Sequence, residues 1–259
     1  LLTMAGSDSA TRKPADFVFF ALRASDLKDP DKHISMGIDD LRLMNPNTLT
    51  TPIFRSKRDY EVTRKIYERV PVLIREKRGK RPEENPWGLR FMAMLHMAND
   101  SGVFRTREQL QDDGWELRGN VFERAGKKYL PLYEAKMAHQ FDHRWATYEG
   151  DKARDCTSEE KSDPHFVAMP RYWVPETGVN SRLAGKWDKK WLLGWRDICR
   201  STDERTVIAS VVPRVGVGHT LQLMFTSEAE AGNAMCLLAN LSSLALDYCA
   251  RQKIGGTHL

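Results

Sequence analysis

The sequence lacks most of the features that mark a secreted, membrane-bound or metal-rich protein. Its four cysteines are widely spaced and form no C-x-x-C pair: Cys156, Cys199, Cys236 and Cys249. This spacing argues against a disulfide framework or a cysteine-rich zinc site. No apolar run approaches the roughly 18 residues of a membrane-spanning helix, and the first residues lack the basic-then-apolar order of a secretory signal. We therefore expect a cytoplasmic protein with reduced thiols and no membrane partner.

The motifs of common nucleotide-dependent enzymes are also missing. No G-x-x-x-x-G-K-[ST] loop occurs, and the one G-x-G, at residues 216–218, leads into another strand-like run instead of a helix. It predicts a hairpin turn, because cradling a phosphate needs a helix N-terminus. The Asn-Pro pairs at Asn45 and Asn85 lack the second proline and aromatic ring with which an amino-methylating enzyme grips a flipped base. The sequence therefore predicts no methyltransferase core and no cofactor within this chain.

The composition is that of an ordinary soluble globular protein. The 259 residues are 41% hydrophobic and 29% charged, which suffices to bury one large core or two smaller ones. Lys and Arg number 40 against 35 Asp and Glu, a formal net charge of +5. This mild excess permits nucleic acid as a partner without requiring it.

Hydrophobic periodicity and turn signals divide the chain into three parts. We expect a disordered or linker-derived start at residues 1–15, a mixed α/β region at 16–156, and a small sheet with a long helix at 157–259. The fold class is α+β, with a helix-rich mixed N-terminal half and a small, mostly antiparallel sheet closed by a long C-terminal helix.

Local signals place helices in the N-terminal half. Ser56, with Asp59 three residues later, forms a capping box that begins a helix, and Pro71 ends it. Apolar spacing predicts two further helices, an amphipathic one over residues 87–98 and a short one over 106–113.

The remaining signals predict strands and one long helix. Two strands are expected to meet near Ala125 and Gly126, and four short β-prone runs follow residue 164. Ser227 can then cap a helix that runs to about Gln252.

One cluster of charges suggests a metal-dependent nuclease. Asp113, Glu134 and Lys136 have the order Asp…Glu-x-Lys, in which two carboxylates hold a divalent ion and the lysine steadies the developing charge. An ion-paired surface strand explains the same residues. The nuclease interpretation requires the three side chains to converge.

The segment around two histidines allows several roles. His139 and His143 are four apart, which on a helix would bring both rings to one face, as zinc ligands require. A hydrogen-bonding pair without metal is the alternative. The basic and aromatic neighbours suit phosphate contact and base stacking: Lys136, Arg144, Trp145 and Tyr148.

The C-terminal half carries a second polar constellation. Residues 200–206 include candidates to recognise base edges: Arg200, Asp203, Glu204 and Arg205. Arginine can fork onto guanine, and a carboxylate can accept from cytosine. Arg251 and Lys253 extend the basic character at the end of the predicted helix. A solvated turn held by internal salt bridges is the alternative interpretation.

Four segments of the chain resemble a known family. They span residues 45–73 (NPNTLTTPIFRSKRDYEVTRKIYERVPVL), 129–148 (YLPLYEAKMAHQFDHRWATY), 198–223 and 236–259. Together they resemble the region C-terminal to the catalytic domain in large adenine-specific DNA methyltransferases of bacterial restriction-modification and phage-defence systems, the type II-G and single-polypeptide type I-like enzymes. The chain looks like an excised piece of such a polypeptide.

The resemblance implies a target-recognition region that binds double-stranded DNA and is itself non-catalytic. S-adenosylmethionine and methylation of a flipped adenine would belong to the methyltransferase domain of the same parent polypeptide. A module that docks a partner protein stays open as a further class, since it needs no basic cleft.

Recognition would then divide into two kinds of contact. Basic side chains would set the register on phosphates, and the polar turn would recognise bases. The phosphate candidates are Arg55, Lys57, Lys136, Arg144 and Lys253. We expect Arg205→Ala to alter discrimination between DNA sequences and Lys57→Ala to lower affinity for all of them.

Overall fold

The chain folds as two compact units, residues 1–86 and 87–259. The computed structural model describes residues 13–226 and 231–259. Within these ranges no helix is long and apolar enough to cross a bilayer. Each unit has its own cluster of buried hydrophobic side chains.

In residues 13–86 the first unit contains a two-stranded antiparallel sheet and two α-helices. Its elements are β1 (Ala15–Val18), β2 (His33–Met36), α1 (Ile38–Met44) and α2 (Lys57–Arg69). The predicted capping box is confirmed at the start of α2, where Ser56 Oγ accepts the Asp59 N–H at 3.2 Å and Asp59 Oδ2 accepts the Ser56 N–H at 3.0 Å. Four side chains form the buried cluster: Ile34, Met36, Met44 and Phe54.

The second unit contains the remaining strands and helices. Its strands are β3 (Arg90–Met92), β4 (Glu116–Arg118), β5 (Val121–Arg124), β6 (Lys127–Tyr133), β7 (Ala146–Glu149), β8 (Lys152–Asp155), β9 (Trp173–Pro175), β10 (Trp191–Arg196), β11 (Ala209–Pro213), β12 (Gly216–Val217) and β13 (Leu221–Phe225). Its helices are α3 (Arg107–Asp112), α4 (Ser158–Ser162), α5 (Glu176–Leu183), α6 (Ala231–Leu241) and α7 (Leu244–Arg251).

Two larger sheets and one hairpin organise the second unit. One sheet has the order β11-β10-β13-β3 and is antiparallel throughout. The other has the order β12-β6-β5-β4, and β12 runs parallel to β6. β9 also pairs with β6, in the antiparallel direction. β7 and β8 form a separate hairpin. Both larger sheets contribute to one core, through Leu132 and Val174 from one and Leu192 and Leu223 from the other.

The α+β class is confirmed, as are several local predictions. Thr106 caps α3, with its Oγ accepting the Gln109 N–H at 3.3 Å. β5 and β6 meet at Ala125 and Gly126, both of which have positive φ, as a tight hairpin turn requires.

The helix predicted over residues 87–98 is wrong. Residues 90–92 form β3, which pairs with β13 at the edge of the antiparallel sheet. Further along, the Leu95 carbonyl accepts the His219 N–H at 2.7 Å. Backbone partners from distant residues override the helical spacing of the apolar side chains.

The C-terminal helix is interrupted in the described residues. α6 ends at Leu241 and α7 begins at Leu244, with Ser243 as its N-cap. The cap predicted at Ser227 lies outside the described residues, as does most of the start predicted for residues 1–15.

The divide predicted between residues 156 and 157 falls inside the second unit. β9 and β12, which follow it, pair with β6, which precedes it. The polar stretch after Cys156 forms α4, because Thr157 caps it and accepts the Glu160 N–H at 3.2 Å.

Candidate nucleic-acid interface

A tight turn presents an aromatic ring to solvent. His139 and Asp142 exchange backbone hydrogen bonds of 2.7 and 3.0 Å, which leaves two residues at the tip. One of them, Phe141, has φ of 60° and is 75% exposed. Positive φ is unfavourable for a bulky side chain, so the surrounding turn must enforce it.

This turn means that the helical arrangement expected for His139 and His143 is wrong. The His139 ring instead lies 4.3 Å from the Trp145 ring, centre to centre. Burial, with Arg196 nearby, lowers the pKa of His139, and desolvation also lowers the pKa of His143. Both rings are therefore neutral at pH 7. No group of three or more His, Cys, Asp or Glu side chains suited to a metal ion occurs in the described part of the chain.

The three residues of the nuclease alternative do not converge. The Asp113 carbonyl accepts a hydrogen bond from Arg124, which is paired with Lys127 at the start of β6. Glu134 follows the far end of the same strand. At about 3.3 Å per residue, seven residues separate the two ends by roughly 20 Å, far beyond the reach of a shared metal ion.

Lys136 and Glu134 surround Tyr148 instead. Lys136 Nζ lies 5.3 Å from the centre of the Tyr148 ring, a cation–π distance. Glu134 Oε1 and the Tyr148 hydroxyl are both buried. Burial, together with the nearby Glu134 carboxylate, raises the pKa of Tyr148. The Lys136 side chain itself stays exposed.

Arg144 is engaged inside the protein. Its guanidinium donates to the carbonyls of Lys161, Asp163 and Phe166 at 2.8 to 3.1 Å. These carbonyls lie at and just beyond the C-terminus of α4, where a cation complements the helix dipole. Arg144 therefore fixes α4 against the histidine segment.

A buried carboxylate on α7 contacts the polar turn at residues 200–206. Asp247 is 3% exposed and accepts the N–H groups of Thr206 and Val207, each at 2.8 Å. It also accepts from Arg251 Nε at 2.9 Å, and Arg205 Nε lies 3.5 Å away within ion-pair range. Such a buried carboxylate stabilises the fold only while it and its hydrogen-bond donors are all present.

Arg205 and Arg251 hold the turn from within. Arg251 donates to the carbonyls of Ser201, Asp203 and Glu204 at 2.6 to 3.1 Å. The Arg205 side chain is only 16% exposed and donates to the Ser242 carbonyl at 2.7 Å. The internal salt bridges considered from the sequence are thus present, and they involve these two arginines.

The outer side of the same turn is exposed. Arg200, Asp203 and Glu204 all face solvent. The turn is closed by the Asp203 carboxylate, which accepts the Arg200 backbone N–H at 3.0 Å. The Arg200 guanidinium has no hydrogen-bond or ion-pair partner in the ranges that the structure describes.

The last residues of the chain lie beside this turn. The Cys199 N–H donates to the Thr257 carbonyl at 3.0 Å, and His258 Nδ1 lies 2.7 Å from Asp197 Oδ2. Lys253 follows α7 and remains exposed overall, although desolvation of its ammonium group lowers its pKa to about 8.

These segments meet on one face of the second unit. Gln140 Nε2 donates to the Val207 carbonyl at 3.1 Å, and Arg196 Nε donates to the Ala138 carbonyl at 2.9 Å. The Phe141 turn therefore lies next to the polar turn. We refer to residues 139–143, 197–206 and 253–259 together as the three-segment face.

Arg55 and Lys57 belong to the first unit. The Arg55 guanidinium carbon lies 5.7 Å from the centre of the Phe20 ring, and Lys57 is the exposed first residue of α2. They are therefore grouped with each other and not with the three-segment face.

Sequence reasoning missed Phe141, the most exposed aromatic ring on the three-segment face. A phenylalanine flanked by polar residues carries no sign of its orientation, because only the backbone conformation of the turn decides it. Comparisons of the chain with protein-family models, with curated proteins and with solved structures found no match.

Proposed function

We propose that the chain is a target-recognition region that binds duplex DNA, using the three-segment face. The observation that carries this proposal is that two exposed turns lie side by side. Phe141 projects from one, and from the other the Arg200 guanidinium, which has no partner among the described residues. Turns of this size can enter a groove of DNA, where an aromatic ring can stack on bases and an arginine can donate two hydrogen bonds to one guanine.

The charges on the face favour contact with bases over contact with the phosphate backbone. Asp203 and Glu204 are exposed beside Arg200, and they would repel phosphates but accept from the cytosine amino group. Contacts to the phosphate backbone of the DNA would come from the exposed Lys136 and Lys253 of the same unit.

Arg205 and Arg251 have a positioning role in this proposal. Their guanidinium groups are directed at backbone carbonyls and at Asp247, so they shape the turn that carries Arg200. This revises the role expected for Arg205. Replacing it should weaken the turn as a whole instead of changing the preference for one base.

Such a region would work with a methyltransferase domain in the same parent polypeptide, in the bacterial cytoplasm. S-adenosylmethionine would bind that domain, while this chain would select the site. The separation of Asp113 from Glu134 gives no support to the nuclease alternative.

The test is selection of bound molecules from a random duplex pool by the full chain, across a salt series. We expect a short enriched motif and an affinity that falls steeply with salt. Salt-sensitive binding without enrichment would mean that sequence selection needs the methyltransferase domain. An absence of binding at low salt would refute the proposal and favour a protein-docking module.

Two pairs of variants assign the roles on the face. Phe141→Ala should lower the affinity for every sequence about tenfold through lost stacking, whereas Phe91→Ala, an exposed ring on edge strand β3, should leave it unchanged. Arg200→Ala should relax the preference at one base pair. Arg118→Ala, an exposed arginine on β4 paired with carboxylates, is its control.

A further inference from the structure

The first unit contains a small hairpin rich in arginine. Arg75 and Glu84 exchange two backbone hydrogen bonds of 2.9 Å, and Arg78 and Arg81 exchange two of 3.1 Å. Gly79 occupies the tip with φ of 60°. The backbone pairing of the hairpin sets the positions of its arginines.

A single asparagine attaches this hairpin to the turn before α2. Asn47 Nδ2 donates to the Ile74 carbonyl at 3.0 Å, and Asn47 Oδ1 accepts the Glu76 N–H at 2.9 Å. The turn also holds Leu49 at φ of 57°, an uncommon conformation for a residue other than glycine. The side-chain amide thus pairs with the hairpin as another strand would.

An open cavity of about 540 Å³ lies between the hairpin and the turn. Pro46 and Leu49 supply apolar walls. The rest of the lining is entirely arginine: Arg42, Arg75, Arg78 and Arg81.

The arginines of the cavity have too few partners. Arg42 pairs with Asp39 and Arg75 with Glu84, but no ion pair of Arg78 or Arg81 exists in the described residues. Arg75 Nε, Arg81 Nε and Arg81 Nη2 are buried without a hydrogen-bond partner in the described part of the chain. A buried donor on a charged group that lacks an acceptor is costly, so the cavity is electrostatically incomplete as it stands.

We infer that this cavity binds a phosphate group. A guanidinium group can donate two parallel hydrogen bonds to the oxygens of a phosphate, and several guanidinium groups can bind different oxygens of the same phosphate. An anion in the cavity would balance the charges of Arg78 and Arg81, which have no ion pair among the described residues. The identity of the phosphate as part of a DNA backbone rests on the proposed function, while the phosphate site itself does not.

The first measurement is hydrogen exchange of residues 74–84 in the full chain, in inorganic phosphate and in chloride at matched ionic strength. We compare the wild type with Arg81→Gln and with Arg58→Gln. The control Arg58 is exposed on α2, where its nearest carboxylate is 3.9 Å away. Phosphate at about ten times its Kd should slow exchange about tenfold in the wild type and the control, but not in Arg81→Gln.

The second measurement is duplex DNA binding by the same proteins across a salt series. Arg81→Gln should lower affinity for every sequence about tenfold and reduce the slope of log K against log salt by about 0.9. Arg81→Lys, which keeps the charge but loses the fork, should restore the slope and only part of the affinity. Far-ultraviolet circular dichroism confirms that each variant is folded.

The outcomes separate the site from its source. An effect on both measurements, or on DNA binding alone, supports a backbone phosphate. Protection by phosphate with unchanged DNA binding supports a site for a free phosphate compound. If phosphate protects but the wild type binds no DNA, the proposed function fails while the phosphate site stands. The inference is overturned if phosphate protects no better than chloride and Arg81→Gln binds DNA as Arg58→Gln does.

Discussion

Asp247 is the residue on which the polar turn depends most. Two backbone N–H groups and two arginines converge on its carboxylate, which is almost completely buried in α7. The contact between the turn and the helix should therefore weaken when the carboxylate is removed.

Asp247→Ala should lower the free energy of unfolding of the second unit by about 3–5 kcal/mol, because it leaves buried positive charge unpaired. Urea unfolding followed by tryptophan fluorescence measures this, since all seven tryptophans lie at residue 87 or beyond. Asp188→Ala is the control, because its carboxylate is 81% exposed in an ion pair with Lys189. A loss below about 1 kcal/mol for Asp247→Ala would contradict the central role of this carboxylate.

At the scale of elements, the break between α6 and α7 gives Arg205 its backbone acceptors. Ser242 and Ser243 interrupt the helical run, and the Ser242 carbonyl accepts from Arg205. Ser243 Oγ accepts the Leu246 N–H at 3.2 Å and so begins α7. The Ser242 hydroxyl, by contrast, is buried without a hydrogen-bond partner among the described residues.

These two serines should respond oppositely to alanine. Ser243→Ala should cost about 1 kcal/mol through the lost N-cap. Ser242→Ala should be neutral or slightly stabilising, because it removes an unsatisfied buried hydroxyl. The same urea unfolding measures both, and equal losses from the two variants would show that the break is not organised by the cap.

At the scale of the whole molecule, the two units should respond oppositely to pH. In the first unit, a hydrogen bond that His33 donates to the Asp16 carboxylate raises the pKa of His33, whose Nδ1 lies 2.6 Å from Asp16 Oδ2. Its contribution to stability is complete below the unfolded pKa of about 6.5 and is lost as the pH rises through the folded value. In the second unit, burial lowers the pKa of His139, so protonation of this ring as the pH falls destabilises the fold.

Lowering the pH from above about 6.5 to below it should therefore stabilise the first unit and destabilise the second. Hydrogen exchange of residues 33–36 reports the first unit, and tryptophan fluorescence reports the second. His33→Gln should abolish the first response and His139→Gln most of the second, because His143 stays more exposed. Parallel changes in both units would contradict the assignment of these histidines.

Much of the local structure follows from the sequence by itself. The capping boxes at Ser56 and Thr106, and the turn at Ala125 and Gly126, depend on residues within a few positions of each other. The α+β class also follows, because helical and alternating apolar spacing are both present along the chain. Such signals are reliable because the interacting residues are close to each other in the sequence.

The candidate site depended on tertiary structure. The sequence identifies residues around His139 and Arg200 as polar and basic, but not that Arg205 and Arg251 turn inward while Phe141 turns outward. The inward orientations of Arg205 and Arg251 are decided by partners about 40 residues away, such as the Ser242 carbonyl for Arg205 and the Glu204 carbonyl for Arg251. A buried donor binds whichever acceptor the packed chain brings to it, and local sequence does not contain that partner.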